Sequence, residues 1–155
     1  MTQNTDTQTQ DSGSSRHPAG RLLALDLGAR RVGVAVSDEL RLSVRPLPPL
    51  ARASWKKLLV EIRRLCQSFD AAGVVVGLPL SLDGTEGEAA REARRIARNL
   101  SLSLDLPVHL QDERLTSRAA EEALRSEGAA GREVAERVDG EAAALILSDF
   151  LTKEG

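Results

Sequence analysis

The chain has 155 residues, 41% hydrophobic and 28% charged, which suits a single globular domain with its own core. One Cys and two His exclude an intramolecular disulfide, a zinc site of several thiolates and a His-rich metal site, so any metal here would be a hard ion such as Mg²⁺ or Mn²⁺ held by carboxylates. The net charge of -2 hides an asymmetry: residues 21–65 carry ten Lys/Arg against four Asp/Glu, and residues 66–155 carry ten against seventeen.

Folded together, such halves would set a polyanion-binding surface beside a carboxylate cluster, although exposed helices also carry charge with no role. Aromatic residues are only 2%, too few for stacking platforms of several rings. No apolar run approaches the roughly 20 residues of a membrane span. The N-terminus is polar rather than basic and then apolar, so a cytoplasmic protein without membrane contact is expected.

Residues 1–20 are Thr, Gln, Ser and Gly with almost nothing to bury, and a disordered tail is expected there; the domain is expected over 21–155. Leu22–Leu27 and Val32–Val36 are short β-rich runs joined by Gly28-Ala29-Arg30-Arg31, the pattern of a hairpin. Arg41–Val44 would add a third short strand, with Pro46, Pro48 and Pro49 ending regular structure. Ser54 should cap a helix whose Trp55, Leu58, Leu59, Ile62, Leu65, Cys66 and Phe69 follow helical spacing. Gly73–Leu78 is wholly apolar, as in a strand buried on both faces.

A flexible Pro79–Gly87 stretch then leads to a helix with Ala89, Ala93, Ile96, Ala97, Leu100 and Leu104 inward. Pro107–Gln111 is a strand with Asp112-Glu113-Arg114 at its end. A helix from Thr116 or Ser117 to Gly128 follows, and a last helix begins near Asp139, burying Ala142, Leu145, Ile146 and Phe150. The order β-β-β-α-β-α-β-α-α predicts an α/β fold: a mixed sheet with helices on both faces and a site beyond the carboxyl ends of its strands.

Three carboxylates stand where that site would form. Asp26 interrupts a core strand, which suits a metal or cleft, or equally an edge-strand Asp pointing to water. Glu113 follows a strand end; strand alternation sends Asp112 and Glu113 to opposite sides, so at most one joins the site, and His109 reads as packing. Asp139 precedes the last helix, where an N-cap is the ordinary role. Together they form the pattern that holds two divalent ions about 3.5–4 Å apart on a phosphodiester. Arg30 and Arg31 in the turn could meet phosphate oxygens, or simply solvent. The 77–87 loop could cradle phosphate, but matches no mononucleotide or dinucleotide motif. Cys66 reads as core.

LALDLGARRVGVAVSD, VVVGLPLSLDGTEG, DERLTS and VDGEAAALIL, in this order and spacing, resemble the YqgF/RuvX family of pre-16S rRNA nucleases and Holliday junction resolvases, over about residues 22–151. The resemblance implies a ribonuclease H-like fold related to the RuvC resolvase, with acidic residues at Asp26, Glu113 and Asp139 binding Mg²⁺ or Mn²⁺ as two ions. Arg30, Arg31 and Arg114 would position the nucleic-acid backbone. Arg30 stands where the family often has Lys, and Glu141 where an apolar residue is usual.

The expected function is metal-dependent hydrolysis at the 5′ end of pre-16S rRNA. The alternative is resolution of four-way DNA junctions, which would call for a homodimer. A sugar-kinase or actin-like ATPase half-domain and a non-catalytic assembly factor are further readings; the first needs two such domains, and the second would be marked by loss of a carboxylate.

Overall fold

A computed structural model describes residues 20–113 and 132–154. Its elements are β1 (Arg21–Leu27), β2 (Arg31–Ser37), β3 (Val44–Ala51), α1 (Trp55–Ser68), β4 (Ala71–Leu78), α2 (Glu88–Leu104), β5 (Val108–Asp112) and α3 (Arg132–Glu154). The five strands form one sheet in the order β3-β2-β1-β4-β5. The first three are joined antiparallel, whereas β1–β4 and β4–β5 are parallel, giving the expected mixed sheet. The expected tail, Arg114 and the helix expected between Thr116 and Gly128 lie outside the described residues, Gly20 apart.

Strand alternation divides the core between two layers. Leu23 and Leu25 of β1 join Val74 and Val76 beneath α1 and α2, where Leu58, Ile62, Ala93 and Leu100 are buried. Leu22 and Ala24 face the other way and pack with Ala35, Val75, Ala143, Ile146, Leu147 and Phe150 beneath α3. Helix α1 starts where expected: the Ser54 hydroxyl accepts a hydrogen bond from the Lys57 amide at 3.2 Å. Along α2, Ala93, Ile96, Ala97 and Leu100 are buried as expected, but at its start Ala90 is buried and Ala89 exposed. Cys66 lies in the core, where burial pushes its thiol up to about 11.

Three expectations need correction. The prolines do not end regular structure, since β3 runs from Val44 through Ala51. It is an edge strand, and an edge tolerates residues without an amide donor. Pro46 stands opposite Ala35, while Pro48 and Pro49 fall where the β2–β3 register shifts between Val32 and Val34. The last helix starts at Arg132 rather than near Asp139, so Asp139 is interior to α3 and is no N-cap. On α3 it is Ala143 and Leu147 that are buried alongside Ala142, Ile146 and Phe150, and Leu145 is exposed.

Candidate active site

Asp26 is the third residue on the α3-facing side of β1, after Leu22 and Ala24. A glycine occupies the neighbouring position on each flanking strand. In β2 Gly33 pairs directly with Asp26, and in β4 Gly77 stands one step past the Leu25–Val76 pair. Both glycines keep space open that a side chain would fill. A Cβ on Gly33 would lie 2.1 Å from the Asp139 carbonyl oxygen, and a Cβ on Gly77 would lie 2.8 Å from Glu113 Oε2. The row Gly33–Asp26–Gly77 is therefore a trough across three strands, with the α3 backbone at Asp139 seated at one end and the Glu113 carboxyl at the other.

Glu113 is fixed by its own amide, which donates to the Leu78 carbonyl at 3.0 Å just past the end of β5. Its side chain is only 6% exposed, and it alone of the acidic side chains is that deeply buried among the described residues. Asp26 is half-buried, and its carboxyl stands within hydrogen-bonding reach of the Glu113 carboxyl. Burial first, then the Asp26 charge, a hydrogen bond with Asp26 and the Asp112 charge push Glu113 up to about 9. Its second oxygen, Oε1, is buried with no hydrogen-bond partner among the described residues. Water left such an oxygen at a cost. An acid pair with an orphaned hard oxygen suits a divalent cation, which would supply the missing partner and relieve the repulsion.

The third expected carboxylate is held differently. Asp139 Oδ2 accepts from Arg31 Nε at 2.6 Å, a partly buried ion pair joining the first residue of β2 to α3. Asp26 and Glu113 thus meet in the trough, and Asp139 brings its backbone to the trough's end; among the described residues no three acidic, His or Cys groups form a cluster fit for a metal. Arg31, expected in the turn, is a strand residue engaged with Asp139; Arg30 remains exposed on the turn itself. Arg114 lies outside the described residues. Asp112 ends β5 opposite Leu78.

The turn 28–30 is closed by the Gly28 amide donating to the Arg31 carbonyl at 3.0 Å. It is braced by Arg52, which the sequence reading did not single out. The Arg52 guanidinium donates to the Gly28 carbonyl and to Glu92 Oε2, each at 2.6 Å, and its amide donates to the Arg30 carbonyl at 2.8 Å. No spacing rule marks an arginine between a strand and an N-cap, whereas Gly33 and Gly77, glycines inside apolar strand runs, did carry a signal of close approach. In the 79–87 loop Asp83 Oδ1 accepts from the Thr85 amide and hydroxyl, and Glu86 binds Arg94, so its polar groups serve the loop itself. His109 packs its ring 5.0 Å from that of Phe150, and Glu141 is exposed.

A mixed sheet of this order, with acids on its central strand, after its last strand and on the helix that covers it, defines a ribonuclease H-like α/β domain. Its fold matches Thermus thermophilus RuvC in complex with a Holliday junction substrate, with a TM-score of 0.52 at 17% identity over 87% of this chain and 96% of that one. The family model described as RuvX, Holliday junction resolvase, matches residues 20–153, and the chain belongs to that family. It is 43% identical to a protein of Anaeromyxobacter dehalogenans over 133 residues, covering 86% of this chain and 97% of the relative. It is also 42% identical to one of Syntrophus aciditrophicus, covering 84% and 87%. Both relatives are named as candidate pre-16S rRNA nucleases.

Proposed function

We propose that this protein is a metal-dependent nuclease that hydrolyses a phosphodiester of precursor 16S rRNA at its 5′ end, acting in the cytoplasm with Asp26, Glu113 and Asp139 as its metal-holding carboxylates. The observation that carries this reading is the Asp26–Glu113 contact, with Glu113 Oε1 buried and unpartnered at the strand ends. The choice of RNA is supported by the names of the relatives at 42–43% identity.

Mg²⁺ or Mn²⁺ bound here, as two ions in the fully loaded site, would activate the attacking water and stabilise the leaving oxygen. Asp26, on the middle strand and beside Glu113, would be one of the carboxylates that hold them. Glu113 would hold the cation in its ionised form, since a hard cation binds the carboxylate rather than the acid. Asp139 is paired with Arg31 while the site is empty of substrate. A phosphate arriving at the turn competes for the Arg31 guanidinium and leaves the Asp139 carboxylate free to face the trough. Arg30, exposed on the same turn, meets the backbone of the strand on either side of the scissile bond.

The test offers end-labelled 16S precursor RNA and a four-way DNA junction side by side, with Mn²⁺ and with Mg²⁺, to wild type and to Asp26→Asn. Cleavage of the RNA by wild type, lost in a variant of unchanged circular dichroism, is the expected outcome. Full cleavage by Asp26→Asn would sink the assignment. A junction resolvase is the second reading, favoured by the description of the matching family. Paired symmetric nicks in the junction alone, from a protein that sediments as a two-fold dimer, would establish it instead.

A further inference from the structure

On the face of the sheet away from the acids, at the same end, is a crevice that the nuclease reading does not use. Strand β3 ends beside the β1–β2 turn, Arg31 pairing with Ala51, so Arg52 and the start of α1 stand at the same end of the sheet as Asp26. Between α1 and α2 at that end is a cavity of about 190 Å³, lined by Arg52, Trp55, Glu92, Arg95 and Asn99. Sites that enclose a whole small ligand usually offer roughly 300–1,000 Å³, so this one suits a single planar ring system with its backbone outside.

Its walls have the chemistry of a base pocket. Trp55 is the one Trp of a chain that is 2% aromatic, and it is only partly buried where the other core aromatic of α1's face, Phe69, lies at the far end of the helix. A Trp ring supplies a stacking face for any base. The Asn99 amide can both donate and accept along a base edge, and the Arg95 guanidinium can bind phosphate. Neither Asn99 nor Arg95 makes a side-chain hydrogen bond or ion pair with another described residue. The crevice adjoins the turn that follows Asp26, on the other face of the sheet from the acids: its Arg52 donates to the Gly28 carbonyl, two residues past Asp26.

We propose that this crevice is a subsite that takes one unpaired nucleobase of the substrate, reached across the turn from the scissile phosphate. It rests on the nuclease reading and adds where the strand goes: from the trough, across the turn at Gly28–Arg30, and down between α1 and α2. Trp55 stacks on the base, Asn99 meets its edge, and Arg95 holds the following phosphate.

Because Trp55 is the only Trp, its emission reports the crevice directly. The full-length wild type is titrated in EDTA with a ten-nucleotide single-stranded RNA, reading Trp emission and, in parallel, the anisotropy of the same RNA carrying a fluorescent label. Emission should fall with the same isotherm as anisotropy rises. Trp55→Leu and Asn99→Leu should each weaken binding about tenfold, the size of losing one stacked or bonded base. Trp55 touches the core, so Asn99→Leu, a change on the surface of α2, is the variant that decides if Trp55→Leu folds poorly. Unchanged emission at saturating RNA, or wild-type affinity in Asn99→Leu, overturns the proposal. If that unquenched wild type still cuts the RNA with Mn²⁺, the crevice falls and the nuclease stands. If wild type neither binds nor cuts RNA, both fall together.

Discussion

Gly77→Ala tests whether the trough over β4 is what seats Glu113. The added Cβ would lie 2.6 Å from Ile146 Cδ1 and 2.8 Å from Glu113 Oε2. Carbon contacts are most favourable near 3.5–4.0 Å, so both neighbours must move by about an ångström. Neither has room, because Ile146 is 1% exposed and Glu113 6%. Overpacking of this kind costs about 1–3 kcal/mol. Ile146→Val removes the Cδ1 atom and on its own should cost about 0.5–1.5 kcal/mol. Placed on Gly77→Ala it should cost nothing or restore stability, a favourable coupling of about 1 kcal/mol. Cleavage follows different rules. The Glu113 clash remains in the double variant, and a carboxylate displaced by an ångström lowers the rate about 10²-fold. Urea unfolding followed by circular dichroism measures the coupling, and single-turnover cleavage of 16S precursor RNA with Mn²⁺ measures the rate. Strictly additive stabilities, full activity in Gly77→Ala, or activity restored by Ile146→Val would each refute the reasoning.

Glu113 also sets the response to pH in the absence of metal. In the fold it keeps its proton up to about 9, while in the unfolded chain it ionises near 4.5. The folded state therefore binds more protons between those values, and its stability is full below pH 4.5 and is lost as pH rises towards 9. Relative to Glu113→Gln, wild type in EDTA should lose stability from pH 5 to pH 8 with a slope of at most about 1.4 kcal/mol per pH unit; a difference that stays flat across urea curves at pH 5, 6.5 and 8 would contradict this. Arg31→Gln removes the partner of Asp139. With the pair partly exposed and worth about 1 kcal/mol, Mn²⁺ affinity by calorimetry without nucleic acid should rise about fivefold while RNA affinity falls. Weaker Mn²⁺ binding in that variant would mean that Arg31 supports the site rather than competing for it.

Four of the five strands and the α1 cap were legible because each follows a local rule, whereas the third strand, expected over Arg41–Val44, runs over Val44–Ala51. Apolar runs of five to eight residues, a Ser before an amphipathic stretch and the parallel-sheet signature of Gly73–Leu78 all need only neighbours in sequence. Asp26 stood out as an oddity in a core strand and Glu113 at a strand end, while Asp139 was read as a residue before a helix that in fact starts at Arg132. What sequence could not supply was how they are held. Glu113 is buried through a space left by Gly77 and Ile146 from other elements, Asp139 is held by Arg31 from a distance of 108 positions, and Arg52 works by bracing a turn 24 positions earlier. These are long-range contacts with no periodicity to announce them.

The two largest misreadings, the prolines of β3 and the start of the last helix, come from a single contact. Asp139-Gly140 reads as a helix start because Asp caps helices and Gly weakens their interiors by about 1 kcal/mol. Pro46 reads as a stop because it lacks a donor. In the fold Gly140 lies inside α3 against Pro46: a Cβ there would be 3.0 Å from Pro46 Cβ and 3.5 Å from the Leu47 carbonyl. A donor-free proline on an edge strand presents a flat apolar surface, and a glycine lets the helix backbone settle on it. One residue earlier the same close approach puts the Asp139 carbonyl over Gly33, beside Asp26. The residues that break the local rules of helix and strand are thus the ones that bring the backbone at Asp139, the third of the proposed metal-holding acids, down onto the sheet. A functional site is where a fold is expected to give up local consistency, and the proposed site at Asp26 would be served by this close approach.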